Sequence, residues 1–143
     1  MSKTSEIEIR VRYQETDQMG IVYHANYFVW FEIGRTEWFR SLGFSYKEME
    51  KMGIKMPVTS IDCRYLESAH YDDICTIRTS IESFSSVKLL FSYQIIRKSD
   101  GHVLAAGKSQ HCFLSMDGKI VRLYRAAPDI AQAIEQAFQG SFE

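Results

Sequence analysis

The segment from Asn26 to about Leu42 constrains the fold more than any other part of the chain. Tyr27, Phe31, Gly34, Trp38 and Leu42 recur at steps of four, three, four and four, which keeps them on one helical face. Phe28, Trp30 and Ile33 carry the apolar surface well beyond an ordinary stripe, and a helix of that kind is buried by more than one neighbour. Gly34 weakens the helix by up to ~1 kcal/mol relative to alanine, so its place on the buried face predicts close approach by another backbone. Asn26 suits the N-cap and Gly43 the C-terminal cap. On the remaining surface, Glu32 with Arg35 and Glu37 with Arg40 have the i,i+3 spacing of ion pairs.

What flanks this helix alternates with period 2. Ile7, Ile9, Val11 and Tyr13 face opposite to Glu6, Glu8, Arg10 and Arg12, predicting a half-buried strand over Glu6–Tyr13. Further strands are predicted at Val58–Leu66, Cys75–Glu82 and Val87–Ile95. Beyond the Ser99-Asp100-Gly101 turn signal, a long strand is predicted over Val103–Met116, and after Asp117-Gly118 another over Lys119–Leu123. Ser45 and Glu48 form a capping box for a short helix reaching Met52. Pro128 opens a last helix with Ile130, Ile134, Ala137 and Phe138 on one face. Helix and strand are segregated, so the class is α+β, an antiparallel meander curled around one helix. No linker or repeat interrupts residues 1–143, which read as one domain.

Of the 143 residues, 45% are hydrophobic and 24% charged, which excludes disorder and coiled-coil composition. A formal charge of −1 offers no basic footprint for nucleic acid. The longest unbroken apolar run, Tyr27–Phe31, is far short of the ~20 residues that span a bilayer. Three cysteines, Cys63, Cys75 and Cys112, lack C-x-x-C spacing and read as reduced, packed side chains. Together with a charged N-terminus, they lead to the expectation of a cytoplasmic protein.

The chemistry gathers in the loop from Glu15 to Tyr27, where strand gives way to helix. Within thirteen positions lie Asp17, Gly20, Tyr23, His24, Asn26 and Tyr27. The free N–H groups of a helix start attract negative charge and stabilise an oxyanion developing on a polarised carbonyl. An ionised carboxylate beside such a carbonyl attacks it or orients a water. Turn chemistry alone also explains an Asp followed by a Gly in a strand–helix loop.

The run Y-x-E-T-D-x-M-G-x-V-Y-H-x-N-Y-x-x-W-F-E-x-G-R, from Tyr13 to Arg35, resembles the signature of the 4-hydroxybenzoyl-CoA thioesterase family. Within that family it is most similar to the Tol–Pal-associated acyl-CoA thioesterase branch. Tyr65-Leu66-Glu67-Ser68-Ala69-His70-Tyr71-Asp72-Asp73 resembles a second, weaker family element. The resemblance implies a hotdog fold, an antiparallel sheet wrapped around one long central helix. It implies hydrolysis of acyl-CoA thioesters at sites between protomers paired as a homodimer or homotetramer. Asp17 takes the place of the family's catalytic carboxylate, and the polarising backbone N–H falls at or next to His24. His24 stands where the aromatic-CoA branch carries an aromatic residue. Substrate contacts are expected from Gly20, Tyr23, Asn26 and Tyr27, with Lys88 and Lys108 as candidates for the CoA phosphates, although solvated surface lysines explain both. A thioester carbonyl is already activated, so no cofactor or metal is expected.

Plainer readings stand beside these. Packing explains Tyr23 and Tyr27, capping explains His24, and an ion pair with Arg35 explains Glu32. Glu67, His70, Asp72 and Asp73 match no zinc or calcium spacing and read as a solvated turn. A hotdog hydratase or dehydratase, or a non-catalytic acyl-thioester-binding partner protein, remains an alternative function. The absence of G-x-x-x-x-G-K-[ST], G-x-G-x-x-G and G-x-S-x-G disfavours nucleotide hydrolysis, a dinucleotide cofactor and a serine hydrolase.

Overall fold

The computed structural model describes residues 3–139. Its element order is β1 (Thr4–Arg10), a 3₁₀ turn (Tyr13–Glu15), α1 (Asn26–Ser41), α2 (Tyr46–Lys51), β2 (Ile54–Lys55) and β3 (Val58–Tyr65). There follow β4 (Ile74–Phe84), β5 (Lys88–Arg97), β6 (Val103–Cys112), β7 (Leu114–Ser115), α3 (Leu123–Ala126) and α4 (Pro128–Gln139). Five strands form an antiparallel sheet in the order β1-β4-β5-β6-β3, and β2 pairs with β7 apart from it. β4, β5 and β6 make the expected meander. β3 lies on its far edge and β1 on the near one.

The apolar rows of the strands meet α1 from one side. Phe31 stacks on Tyr93 of β5 with ring centroids 4.3 Å apart and planes 5° from parallel. Trp38 and Phe39 meet Phe91 edge-on. All of these rings are fully buried, so each supplies the 150–250 Å² of burial that makes aromatics dominate core energetics. Gly34 does sit at a close approach, but side chains make it: a Cβ there would collide with Thr79 Oγ1 and lie 2.8 Å from Ile77 Cγ2. Ser45 caps α2 as predicted, its hydroxyl accepting from the Glu48 N–H at 3.2 Å.

Four local expectations fail for identifiable reasons. β1 stops at Arg10 because the chain then turns, with the Glu15 carboxylate accepting the Arg12 N–H, which leaves Tyr13 76% exposed. The predicted strand Val103–Met116 breaks at buried Phe113, and its last residues leave the sheet to pair with β2. Lys119–Leu123 finds no partner strand beyond a single bridge at Ile120, and Leu123 starts a helical turn. Arg40 pairs with Glu37 as expected, but Arg35 and Glu32 form no ion pair; Arg35 turns inward instead.

A polar thread crosses the core. Tyr93 Oη lies 2.5 Å from Ser109 Oγ, which lies 2.7 Å from His111 Nε2, all three residues being buried. Burial, and then the Arg35 charge, lower the His111 pKa to about 4. An unfolded histidine titrates near 6.5, so between these values the unfolded chain binds the extra proton. The contribution to stability is therefore complete above about pH 6.5 and is lost as pH falls toward about 4. In an NMR titration the His111 ring is expected to stay neutral at pH 5.5; titration near its ordinary value would contradict this.

Candidate active site

The loop between β1 and α1 is organised by one buried carboxylate. Glu15 accepts the Arg12 N–H at 2.8 Å on one oxygen and the Trp30 indole N–H at 3.0 Å on the other. Its own carbonyl accepts the Tyr23 N–H at 2.9 Å and the Asn26 side-chain amide at 2.8 Å. Strand end, loop and helix start are thereby tied at one residue. Asn26 is not the N-cap: Ala25 is, already in helical conformation, and the Asn26 side chain is spent on Glu15.

From this anchor the chain makes a tight hairpin closed by a bridge between Thr16 and Val22. The Asp17 N–H donates to the Ile21 carbonyl at 2.8 Å, and Gly20, at φ +80°, turns its N–H onto the Asp17 carbonyl. One Asp17 carboxylate oxygen accepts the Met19 N–H at 2.8 Å. The other has no partner among the described residues. Glycine is required at position 20 because an L side chain rarely adopts that φ.

The first turn of α1 is wound tightly. The N–H groups of Asn26, Tyr27 and Phe28 bond back three residues, to the carbonyls of Tyr23, His24 and Ala25. The donors left over at this positive helix end are the N–H groups of His24 and Ala25, which meet no acceptor among the described residues. The Tyr65 hydroxyl donates to the His24 carbonyl at 2.8 Å, and the His24 ring lies 4.4 Å from that of Tyr23. Val22 N–H on the Ala69 carbonyl ties the loop to the segment after β3.

A cavity of about 280 Å³ opens where these parts meet, with Asp17, His24, Tyr27, Tyr65, Ile21 and Leu66 on its walls. Burial pushes the Tyr27 hydroxyl up to about 12, so it stays a neutral donor at any working pH. Asp17, His24 and Tyr27 are thus brought together. Gly20 and Asn26 shape the loop without lining the cavity, and Tyr23 stacks outside it. Lys88 stands apart: Tyr65 pairs with Ala105, whereas Lys88 pairs with Cys112 at the opposite end of β6, roughly 20 Å off at ~3.3 Å per residue. Lys108 is held by Glu82 at 2.9 Å. In the segment after β3, Glu67 pairs with Arg97 and His102, Asp72 with Arg10, and Asp73 accepts the His70 N–H.

Sequence reasoning missed Glu15 and Tyr65. Both are visible only through distant partners, although Trp30, one face away from solvent with an indole N–H to satisfy, pointed to a buried acceptor. Changing Glu15 to Gln replaces one acceptor with a donor facing a backbone N–H. A loss of about 1–3 kcal/mol is expected, read as a lower thermal midpoint together with a changed Trp30 fluorescence.

The arrangement places a half-free carboxylate on one small, largely apolar cavity, with His24 on its wall and the unspent N–H donors of His24 and Ala25 at the adjoining helix start. That is the equipment for adding an oxygen nucleophile to an activated carbonyl. The sequence profile of the thioesterase-like superfamily matches residues 11–138. Over 133 residues the chain is 41% identical to a putative acyl-CoA thioesterase, YneP, of Bacillus subtilis (strain 168), covering 93% of this chain and 96% of the relative. It is 34% identical over 88 residues to the acyl-CoA thioester hydrolase YbgC of Escherichia coli O157:H7, covering 62% of this chain and 66% of the relative. Among solved structures it is similar to a DHNA-CoA thioesterase from Staphylococcus aureus, with a TM-score of 0.89 and 37% identity over 92% of this chain and 89% of that one.

Proposed function

The chain belongs to the thioesterase-like superfamily and hydrolyses acyl-CoA thioesters, and from that premise we propose that Asp17 and the start of α1 carry the reaction. The observation behind this reading is the cavity that Asp17 and His24 share, with one Asp17 oxygen unpartnered and the His24 and Ala25 N–H groups free at the helix start beside it.

Sulfur donates little resonance to its carbonyl, so the thioester carbon needs only a positioned oxygen and a place for the displaced charge. The Asp17 carboxylate supplies the electron pair, at the carbonyl carbon itself or through a water it deprotonates. The negative charge moves onto the carbonyl oxygen, where the His24 and Ala25 N–H groups receive it without rearranging. Collapse expels the CoA thiolate, which takes up the proton released by the attacking water, relayed by Asp17 or the His24 ring. Where Asp17 itself attacks, water then opens the acyl–aspartyl anhydride, which frees the acid, restores the carboxylate and supplies that proton. Tyr27, Tyr65, Ile21 and Leu66 suit a short or aromatic acyl group.

Thiol release across straight-chain and aromatic acyl-CoAs tests the reading. A preferred acyl class with Asp17-dependent turnover is expected. An enoyl-CoA that loses its absorbance without releasing thiol favours a hydratase instead. Single turnover in ¹⁸O-water bears on the two roles of Asp17, since label found in its carboxylate identifies a nucleophile whose anhydride water opens at the aspartyl carbon.

The reading extends to assembly. No helix among the described residues is long and apolar enough to cross a membrane. β3 is a sheet edge with mostly exposed side chains, and an open edge invites pairing. A second copy, adding its own β3, extends the sheet into a homodimer, and two dimers give a tetramer. Light scattering is expected to give at least a dimer, and a stable, active monomer would contradict it. The three free thiols fit a reducing, cytoplasmic setting.

A further inference from the structure

A second cavity, of about 330 Å³, opens between α1, α2 and the segment leading into β3. Arg35 of α1 and Tyr46 of α2 meet the apolar side chains of Met49, Ile54 and Met56 there, with Glu32 exposed beside them. It shares no residue with the Asp17 cavity, and Arg35 stands about 16 Å from His24 along the helix at ~1.5 Å rise per residue.

Arg35 makes no ion pair with any described residue; its Nη1 is enclosed without a well-aligned partner, and the guanidinium lies beside the Tyr46 and Tyr93 hydroxyls. Tyr46 Oη and His111 Nδ1 are enclosed and unpartnered as well, making three of the four such atoms among the described residues. They belong to one neighbourhood, since the Arg35 charge acts on Tyr46, Tyr93 and His111. His111 also lies against the backbone of Met56 and Pro57, two residues of the cavity wall. Its lowered pKa keeps it neutral, which leaves Arg35 as the positive charge beside Tyr46 and His111, with Lys55 the second cation on the cavity wall. Native interiors pair nearly all buried polar atoms, and a half-buried guanidinium without an anion is expensive. Arg35 and Tyr46, the two of these residues that line the opening, present it with a cation and a hydroxyl, which an anion would complete. The enclosed Nη1 needs no contact with it, because the guanidinium carries further N–H donors on Nε and Nη2.

We propose that this cavity binds a small organic carboxylate, its oxygens on the Arg35 guanidinium and its hydrocarbon body on Met49, Ile54 and Met56. The apolar walls reward a carbon skeleton. Glu32 and Glu50 at the same cavity offset the charges of Arg35 and Lys55, so a monoanion with an apolar body fits better than a phosphate dianion. The hydrolysis reading adds a source, because a free carboxylate is what thioester hydrolysis releases; the site itself stands on the geometry alone.

The test uses full-length protein carrying ¹³C-methyl methionine, titrated with sodium benzoate and, separately, sodium octanoate. The Met49 and Met56 methyl resonances are expected to shift saturably with at least one of them. Arg35→Met is expected to weaken that response at least tenfold and Arg35→Lys less. Benzyl alcohol and inorganic phosphate at matched ionic strength are expected to leave both methyls in place. Shifts confined to Met19, which lines the Asp17 cavity, would overturn the proposal. So would an equal response to phosphate, an undiminished response in Arg35→Met, or no response to either carboxylate. If Arg35→Met fails to fold, the wild-type pattern and Arg35→Lys decide. The readout needs no turnover, so an inactive protein whose Met49 and Met56 respond would fail the hydrolysis reading alone.

Discussion

Asp17→Asn is expected to lower kcat for thiol release by about 10²–10³-fold or more, with KM changed by less than about threefold. The substitution keeps the size of the side chain and keeps an oxygen to accept the Met19 N–H, so the hairpin is preserved. It removes the negative charge and the basic lone pair, which the chemistry requires whether Asp17 attacks or activates water. Because the lost interaction develops in the transition state, the effect belongs in kcat and not in binding. Turnover within about threefold of wild type, well under ~1.4 kcal/mol of barrier, would remove Asp17 from the reaction. A collapse in thermal midpoint alongside the rate would show instead that the loop had unfolded.

The largest effect on stability is expected at Gly107 of β6. A Cβ at this position would collide with the Asp62 backbone carbonyl and lie 2.7 and 2.9 Å from two ring atoms of Phe31. Neither neighbour has room to give. Asp62 is held in β3 by the β3–β6 ladder, and Phe31 is fully buried and stacked on Tyr93. Overpacking of a close-packed core typically costs 1–3 kcal/mol, occasionally more, and Gly107→Ala is placed at about 3. At roughly 2–4 °C per kcal/mol for a chain of this size, the thermal midpoint is expected to fall by about 6–12 °C. Gly34→Ala is expected to cost less, because its colliding partner, Thr79 Oγ1, belongs to a side chain that can rotate, and alanine returns up to ~1 kcal/mol of helix propensity. A Gly107→Ala protein as stable as wild type would mean that α1 does not press on the sheet through Phe31.

The contrast between these glycines shows where the fold was legible. Gly34 announces itself because a glycine among Phe31, Trp38 and Leu42 interrupts an apolar face, and a local pattern makes it conspicuous. Gly107 stands in a run of small residues, and only the arrival of Phe31 from 76 positions away in sequence gives it meaning. The same division holds for the strands. β4, β5 and most of β6 follow from period 2, since each buries one face, and β3 keeps the same alternation between exposed and half-buried side chains over Ile61–Cys63. The alternation also ran on to Tyr13, where the long-range Glu15–Trp30 bond sets the turn, and through Phe113, where the chain changes sheets.

The site divides likewise. Asp17, His24 and Tyr27 were readable because their spacing places them at one strand–helix junction. The resemblance was most specific from Tyr13 to Arg35, across that junction, and its weaker second element at Tyr65–Asp73 assigned no role to Tyr65. Glu15 and Tyr65 act through hydrogen bonds to Trp30 and to the His24 carbonyl, partners that no local pattern reveals. Lys88 was carried over by resemblance onto a strand whose register puts it at the far end of the sheet. Arg35 had an i,i+3 acid beside it and turned inward all the same, toward Tyr46 and His111.

A crystal structure of Asp17→Asn with a bound acyl-CoA thioether or ketone analogue puts the account to its most direct test. The analogue's carbonyl or equivalent group is expected to accept from His24 or Ala25 N–H at about 2.7–3.1 Å. Its acyl carbon, or the position that carbon would take, is expected about 3–3.5 Å from the side chain at position 17, or one water away. An acyl group seated elsewhere, with neither N–H pointing at it and position 17 out of reach, would contradict the account.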